Sequence, residues 1–194
     1  MTTPERGSRY TPTIPRPYTR IAKAVVTGDA AVGKTSLLVR YIKGIFNPSY
    51  ILTIGVSFFV RDILVGDEVL RVQLWDTGGQ ERFGPIRQLY YRGTKGVLLV
   101  FDRTNPESFK RLTYWLDEIR RGCGDVPIVV VGNKADLPAA VPTEEARRFA
   151  DERRLVFVET SAKTDLNTDK AFSTLAGLIL NQISQRSDVS ENRS

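Results

Sequence analysis

The chain has 194 residues, 41% apolar and 26% charged, with a formal net charge of +6. That length suits one domain with a substantial core, leaves no room for two comfortable ones, and the composition is ordinary for a soluble globular protein. The lone Cys123 cannot close an intrachain disulfide, no apolar run reaches membrane-spanning length, and Met1 to Arg20 has no signal-peptide core. A cytoplasmic protein is expected. Arg6, Arg9, Arg16 and Arg20 form one basic cluster, and Arg147, Arg148, Arg153 and Arg154 another. The second reads as a solvated helix face, and neither calls for a nucleic-acid partner.

Residues 1–20 carry Pro4, Pro12, Pro15 and Pro17 among Thr, Ser and Arg. Such a segment buries too little to offset its ordering entropy, so a flexible extension is expected there. From Ile21 strand and helix signals alternate. The apolar run Ala24-Val25-Val26 leads into Gly28-Asp29-Ala30-Ala31-Val32-Gly33-Lys34-Thr35-Ser36, and a helical pattern (Leu37, Leu38, Tyr41, Ile42) follows. Strand, glycine loop and helix in that order make a G-x-x-x-x-G-K-[ST] phosphate loop. Its backbone N–H groups and the helix N-terminus face one anion, and Lys34 reaches the terminal phosphates of a bound nucleotide. Thr35 offers a hydroxyl to Mg²⁺, a hard cation that takes oxygen ligands and shares them with phosphate.

Val56 to Val65, a Gly66-Asp67 turn, and Val69 to Leu74 read as an antiparallel hairpin at the sheet edge. Leu70, Val72 and Leu74 share one face of its second strand, leaving Arg71, Gln73 and Trp75 on the more polar one. Trp75 there fits two readings equally, a ring covered by a neighbouring loop or a partner-facing anchor. The strand runs into Asp76-Thr77-Gly78-Gly79-Gln80. Asp76 can hold Mg²⁺, Gly79 can bring a backbone N–H to a γ-phosphate, and Gln80 has the donor and acceptor needed to orient an attacking water.

Val97 to Phe101, Ile128 to Val131 and Val156 to Val158 are short β-branched runs typical of buried parallel strands. Helical patterns occupy about 107–121, 144–153 and 170–185. The strand ending at Val131 continues into Gly132-Asn133-Lys134-Ala135-Asp136. The Asp136 carboxylate can accept from both N1–H and the exocyclic amine of guanine, a donor pair that adenine lacks. After the next strand, Thr160-Ser161-Ala162-Lys163 can present backbone N–H to the guanine O6. Together these features describe a mostly parallel α/β sheet with ligand loops at the strands' carboxyl ends.

The segments GDAAVGKTS (28–36), TIGVSF (53–58), WDTGGQERF (75–83), LYYRG (89–93), NKAD (133–136) and TSAK (160–163) make the chain resemble the small GTPases of the Ras superfamily, and the Rab branch most. The resemblance spans about Ile21 to Gln182. It implies a P-loop small G domain over 21–185: six strands, mostly parallel with one antiparallel edge strand, flanked by about five helices, and a flexible tail over 186–194. It implies GTP or GDP with Mg²⁺ as ligands and slow hydrolysis of GTP, with Gln80 and Lys34 catalytic. Nucleotide contacts are expected from Ala31, Val32, Gly33, Lys34, Thr35, Ser36, Phe46, Tyr50, Thr53, Gly79, Asn133, Lys134, Asp136, Ser161, Ala162 and Lys163. Metal contacts are expected from Thr35, Thr53 and Asp76. Phe46 would lie against the guanine and Tyr50 near the phosphates, while Thr53 senses the γ-phosphate in the first switch. Phe58, Trp75 and Tyr90 match a partner-facing aromatic cluster, which tips the reading of Trp75 toward function.

The implied partners are an exchange factor, a GTPase-activating protein that supplies an arginine, and effectors in vesicle traffic; a monomer is expected. Arg82 reads as an interaction residue of the second switch. Three features depart from the Rab pattern. Ala30 and Ala31 occupy loop positions nearest the γ-phosphate, and Gly78 stands where Ala is usual, loosening the second switch. The last nine residues hold no cysteine and no net charge, so neither a prenyl anchor nor a polybasic membrane signal is expected, and any membrane contact would be peripheral. A GTP-binding scaffold impaired in hydrolysis, or a signalling GTPase acting without a lipid anchor, is the alternative, and Asp136 argues against an ATP-dependent enzyme.

Overall fold

Successive residues of a strand face opposite sides of its sheet, and here both sides are apolar. Ala22, Ala24 and Val26 of β1 (Arg20–Thr27) pack on one side with Leu98 and Val100 of β4 (Gly96–Asp102) and Val129 and Val131 of β5 (Ile128–Asn133). Val25, Val97, Leu99, Phe101 and Val130 pack on the other. Buried on both faces, these strands read as continuous apolar runs. The computed structural model describes residues 17–48, 55–79 and 84–191.

The sheet has six strands in the order β2-β3-β1-β4-β5-β6. Strands β2 (Val56–Val65) and β3 (Glu68–Thr77) form the expected antiparallel hairpin at one edge, turning at Gly66, where φ is 59°. The other pairings are parallel, out to β6 (Val156–Glu159) at the far edge. Leu70, Val72 and Leu74 are buried as their alternation requires, and Arg71, Gln73 and Trp75 are half-buried on the opposite face.

Helices α1 (Lys34–Lys43) and α6 (Thr168–Glu191) cover one face through Leu37, Leu38, Phe172, Leu175 and Ile179. The other face is covered by α2 (Gly84–Tyr91), α3 (Pro106–Lys110), α4 (Leu112–Cys123) and α5 (Thr143–Asp151). The helix expected over 107–121 is broken at Arg111 into α3 and α4; counted as one, it brings the described helices to the expected five. Asn105 caps α3 by accepting from the Glu107 N–H at 3.1 Å, and Pro106 at the first turn has no N–H to leave unpaired. Helix α6 continues past the expected end at Gln185 to Glu191.

Strand β1 lies between β3 and β4, so chain connections diverge from it in both directions. The crevice beyond its carboxyl end is where such a sheet accepts a ligand. The glycine loop begins there.

Candidate functional site

Two glycines let the phosphate loop fit between its neighbours. A Cβ on Gly28 (φ +133°) would fall 2.0 Å from the Val100 carbonyl oxygen, and one on Gly33 (φ +94°) 2.3 Å from Asn133 Nδ2. Between them Ala31 holds φ at 62°, an uncommon conformation for a residue with a side chain. Left-handed residues alternating with ordinary ones turn successive N–H groups into an anion nest, which opens directly onto the N-terminus of α1.

Lys34 is buried, and its Nζ donates to the carbonyls of Gly28 (2.8 Å) and Asp29 (2.5 Å). Burial depresses its amine to about 8, against the opposing pull of Asp76 and Asp29. Thr35 Oγ1 donates to Asp76 Oδ2 at 2.5 Å. Asp76 is fully buried, its carboxyl is held above the usual range by that burial, and its Oδ1 has no hydrogen-bond partner. An orphaned carboxylate oxygen beside a hydroxyl suits a hard divalent cation. Among the described residues there is no cluster of three or more acidic or thiol ligands, so such a cation would draw its remaining oxygens from hydroxyls, water and phosphate.

The loops after β5 and β6 are tied to the phosphate loop through one amide. Asn133 Nδ2 donates to the Val32 carbonyl at 3.0 Å, while its Oδ1 accepts from Thr160 Oγ1 (3.1 Å) and the Ala162 N–H (3.3 Å). Lys134 takes a positive φ of 66° and pairs with Asp102 at 2.5 Å. Asp136 Oδ1 accepts from Ser161 Oγ at 2.6 Å, and Lys163 Nζ lies 3.9 Å from Oδ2. Arg40 of α1 supports the loop from behind, donating to the carbonyls of Ala162 (2.7 Å) and Lys163 (2.9 Å).

These loops enclose a cleft of about 320 Å³. Of the residues expected from sequence, Ala31, Gly33, Lys34, Thr35, Ser36, Phe46, Gly79, Asn133, Lys134, Asp136, Ala162 and Lys163 line it, joined by Ala30, Asn47, Pro48 and Leu137. Val32 and Ser161 stand behind the lining and brace it through the bonds just given. Gly79 meets the phosphate loop so closely that a Cβ there would lie 2.4 Å from the Asp29 carbonyl carbon. Tyr50, Thr53, Gln80 and Arg82 lie outside the described residues.

On the hairpin face Trp75 packs edge-on against Phe58 (centroids 5.1 Å apart) and tilted against Tyr90 (5.6 Å), with Lys23 Nζ 4.6 Å over its ring. Phe58 is half exposed, so the three aromatics form one solvent-facing cluster. Sequence reasoning missed a second polar group under the phosphate loop. Asp29 Oδ1 accepts from Trp115 Nε1 at 2.8 Å and pairs with Arg111 Nε at 2.9 Å. Nearby, Arg87 forms a buried two-bond pair with Glu118. A tryptophan and an acid within an amphipathic helix read simply as core and surface, and only the packing of the folded chain sets Trp115 against Asp29 and Glu118 against Arg87 of α2.

The sequence matches the Ras family over residues 23–181. It is 44% identical over 170 residues to the Ras-related protein Rab-2B of Dictyostelium discoideum, covering 86% of this chain and 84% of that one. It is 42% identical over 166 residues to the Ras-related protein Rab-13 of Rattus norvegicus, covering 84% and 82%. The GTP-binding protein YPTM2 of Zea mays is 42% identical over 172 residues, with 87% and 85% covered. With its six-stranded sheet, its phosphate loop at the switch point and these relatives, the chain is a Rab-like member of the Ras family of small GTPases.

Proposed function

We propose that this chain is a guanine-nucleotide switch that hydrolyses GTP to GDP and phosphate, with residues 21–185 as its working domain. The observation that carries the reading is the fixed Asp136 carboxylate, held by Ser161 in the same cleft as the phosphate loop and the Thr35–Asp76 pair. A carboxylate so held accepts both N–H donors of guanine and finds no matching pair on adenine. Lys34, already dehydrated, trades its loop carbonyls for the β- and γ-phosphate oxygens. Mg²⁺, when bound with the nucleotide, supplies charge neutralisation on the phosphates, and Thr35 and Asp76, together with Thr53, are the residues to hold it.

Gln80 orients the water for in-line attack, and Thr53 and the Gly79 N–H hold the γ-phosphate. Loss of that phosphate releases both switch segments. Partners read the released or tethered surface through the cluster of Phe58, Trp75 and Tyr90, and the Rab-named relatives support a role in vesicle traffic on the cytosolic side of a membrane. Among the described residues no arginine lines the cleft, so hydrolysis is slow until an activating protein supplies one.

The test uses the full chain. Nucleotide released on denaturing freshly purified protein is identified by ion-pair chromatography, with GDP or GTP expected and an adenine nucleotide refuting the reading. Single-turnover hydrolysis is then compared between wild type and Gln80→Leu. Equal rates would mean that Gln80 is not the water-positioning residue.

A further inference from the structure

The second buried ion pair of the nucleotide-facing half has no place in the scheme above. Arg87 of α2 and Glu118 of α4 are both almost completely buried. The guanidinium meets the carboxylate fork to fork, Nε to Oε1 and Nη2 to Oε2, each at 2.8 Å. Glu118 also accepts from the hydroxyls of Tyr91 (Oε1) and Tyr114 (Oε2), both at 3.0 Å, so its remaining lone pairs are satisfied. The Arg87 guanidinium lies 4.6 Å over the Trp115 ring, whose indole N–H is bound to Asp29 of the phosphate loop. Held on three sides, the guanidinium has a fixed position.

Its remaining nitrogen, Nη1, donates to the Gly78 carbonyl at 3.2 Å. The peptide joining Gly78 to Gly79 is planar and trans, so the Gly78 carbonyl and the Gly79 N–H point in opposite directions. A donor on one therefore sets the direction of the other. Neither flanking residue has a Cβ, which makes this peptide freer to rotate than its neighbours. Among the described residues the pair is otherwise anchored on one side, by the Gly78 N–H on the Gly55 carbonyl at 3.1 Å. Gly79 itself packs on Asp29 and Ala30, at the phosphate end of the cleft.

We propose that Arg87 is a positioning residue: by gripping the Gly78 carbonyl from a guanidinium fixed on Glu118, it aims the Gly79 N–H at the γ-phosphate and so sets the preference for GTP over GDP. This rests on the reading of the cleft as a guanine-nucleotide site. The alternative is a buried pair that only holds α2 on α4. That role would lower stability when lost, and would lower the affinity for both nucleotides alike.

Two variants separate the roles. Arg87→Met with Glu118→Gln removes both charges together, so no buried charge is left unpaired, and the glutamine oxygen still accepts from one tyrosine hydroxyl while its NH₂ donates to the oxygen of the other. Arg87→Lys keeps the charge on Glu118, but a single ammonium cannot serve the carboxylate and the Gly78 carbonyl as a fork does. Affinities for GDP and for a non-hydrolysable GTP analogue are measured by fluorescent-nucleotide displacement in Mg²⁺ buffer, with circular dichroism to confirm folding. For both variants the affinity for the analogue should fall roughly tenfold, the value of one hydrogen bond to a charged acceptor, while that for GDP stays within about threefold. An equal fall for both ligands, no change in either, or recovery of the wild-type preference by lysine would overturn the proposal. Should the double variant not fold, Arg87→Lys decides alone. Wild type is the control for the underlying reading: if it binds neither guanine nucleotide, both fail, whereas an unaltered preference in the variants removes only the role of Arg87.

Discussion

Deleting a single amine from the nucleotide tests the Asp136 contact directly. Inosine diphosphate lacks the exocyclic amine of guanine and keeps N1–H, so one of the two proposed donors to Asp136 disappears while the phosphates are unchanged. In wild type this leaves a carboxylate lone pair facing the base without a donor. A hydrogen bond to a charged group is worth about 1.5–3 kcal/mol, so inosine diphosphate should bind about 10- to 150-fold more weakly than GDP. Asp136→Asn replaces the acceptor pair with one oxygen and one NH₂. Its oxygen can still accept from Ser161 Oγ, now 2.6 Å from the carboxylate, so the loop keeps its shape. Facing guanine, however, the amide sets a donor against a donor, and GDP affinity should fall by roughly two to three powers of ten. Against inosine the amide oxygen alone suffices. The guanine-to-inosine preference should therefore shrink to within about threefold in the variant, a coupling between residue and amine that a double-mutant cycle reads directly. Displacement titrations at fixed Mg²⁺ on the four protein–nucleotide pairs measure it. The same preference in wild type and Asp136→Asn would refute the contact, whatever happened to overall affinity.

Two further outcomes follow from the phosphate loop. Gly28→Ala should destabilise the fold by about 2–6 kcal/mol, since strained backbone and an overpacked neighbour each cost 1–3. The added Cβ would sit 2.0 Å from the Val100 carbonyl oxygen at a φ of +133°. Gly44→Ala, at φ +69° with nothing within 4 Å, should cost only about 1–2 kcal/mol, and equal losses in urea unfolding would refute the clash. Lys34 gives a proton signature. Its amine, lowered to about 8 by burial, is largely neutral at pH 8.5 in the free protein, and bound phosphate restores the charge. GDP binding at pH 8.5 should then take up part of a proton, seen as a binding enthalpy that changes with the ionisation enthalpy of the buffer; a buffer-independent enthalpy would refute it. Folding has the opposite sign. The free protein binds fewer protons at Lys34 than the unfolded chain between about pH 8 and 10.5, so this group's penalty is full below pH 8 and is relieved as pH rises through that window.

The elements that meet at the candidate site were legible because each has a chemical signature in a short stretch of chain. Lys34 and Thr35 follow a glycine loop, Asp76 ends a strand, and Asp136 stands three residues after the last residue of β5. The hairpin was legible from alternation, with the turn at Gly66 and Trp75 on the polar face. Other features were not, and for one reason: they depend on which helix meets which. Asn133 reads as a loop amide, yet its place between the Val32 carbonyl and the Ala162 N–H makes it the tie among three loops. Glu118 reads as the solvent side of an amphipathic helix until Arg87 arrives from α2 to match its charge. The break at Arg111 has no Gly or Pro to announce it, since the residue is a passable helix former that also serves Asp29.

Asp29 shows why the support and the ligand site behave as one unit. Its backbone carbonyl holds the Lys34 ammonium, while its side chain takes the Trp115 indole N–H and the Arg111 guanidinium. The same Trp115 ring is the face on which Arg87 rests, and Gly79 packs on the Asp29 backbone from the other side. The phosphate loop, the Gly78–Gly79 segment and α4 thus share one polar network in a low-dielectric setting, where a group deprived of its partner is expensive. In the switch proposed above, nucleotide binding is an exchange. There Lys34 would give up the carbonyls of Gly28 and Asp29, and the gain would be the difference between a phosphate anion and two peptide dipoles. That difference favours the phosphate because the amine is dehydrated beforehand, in the folded protein, rather than at the moment of binding.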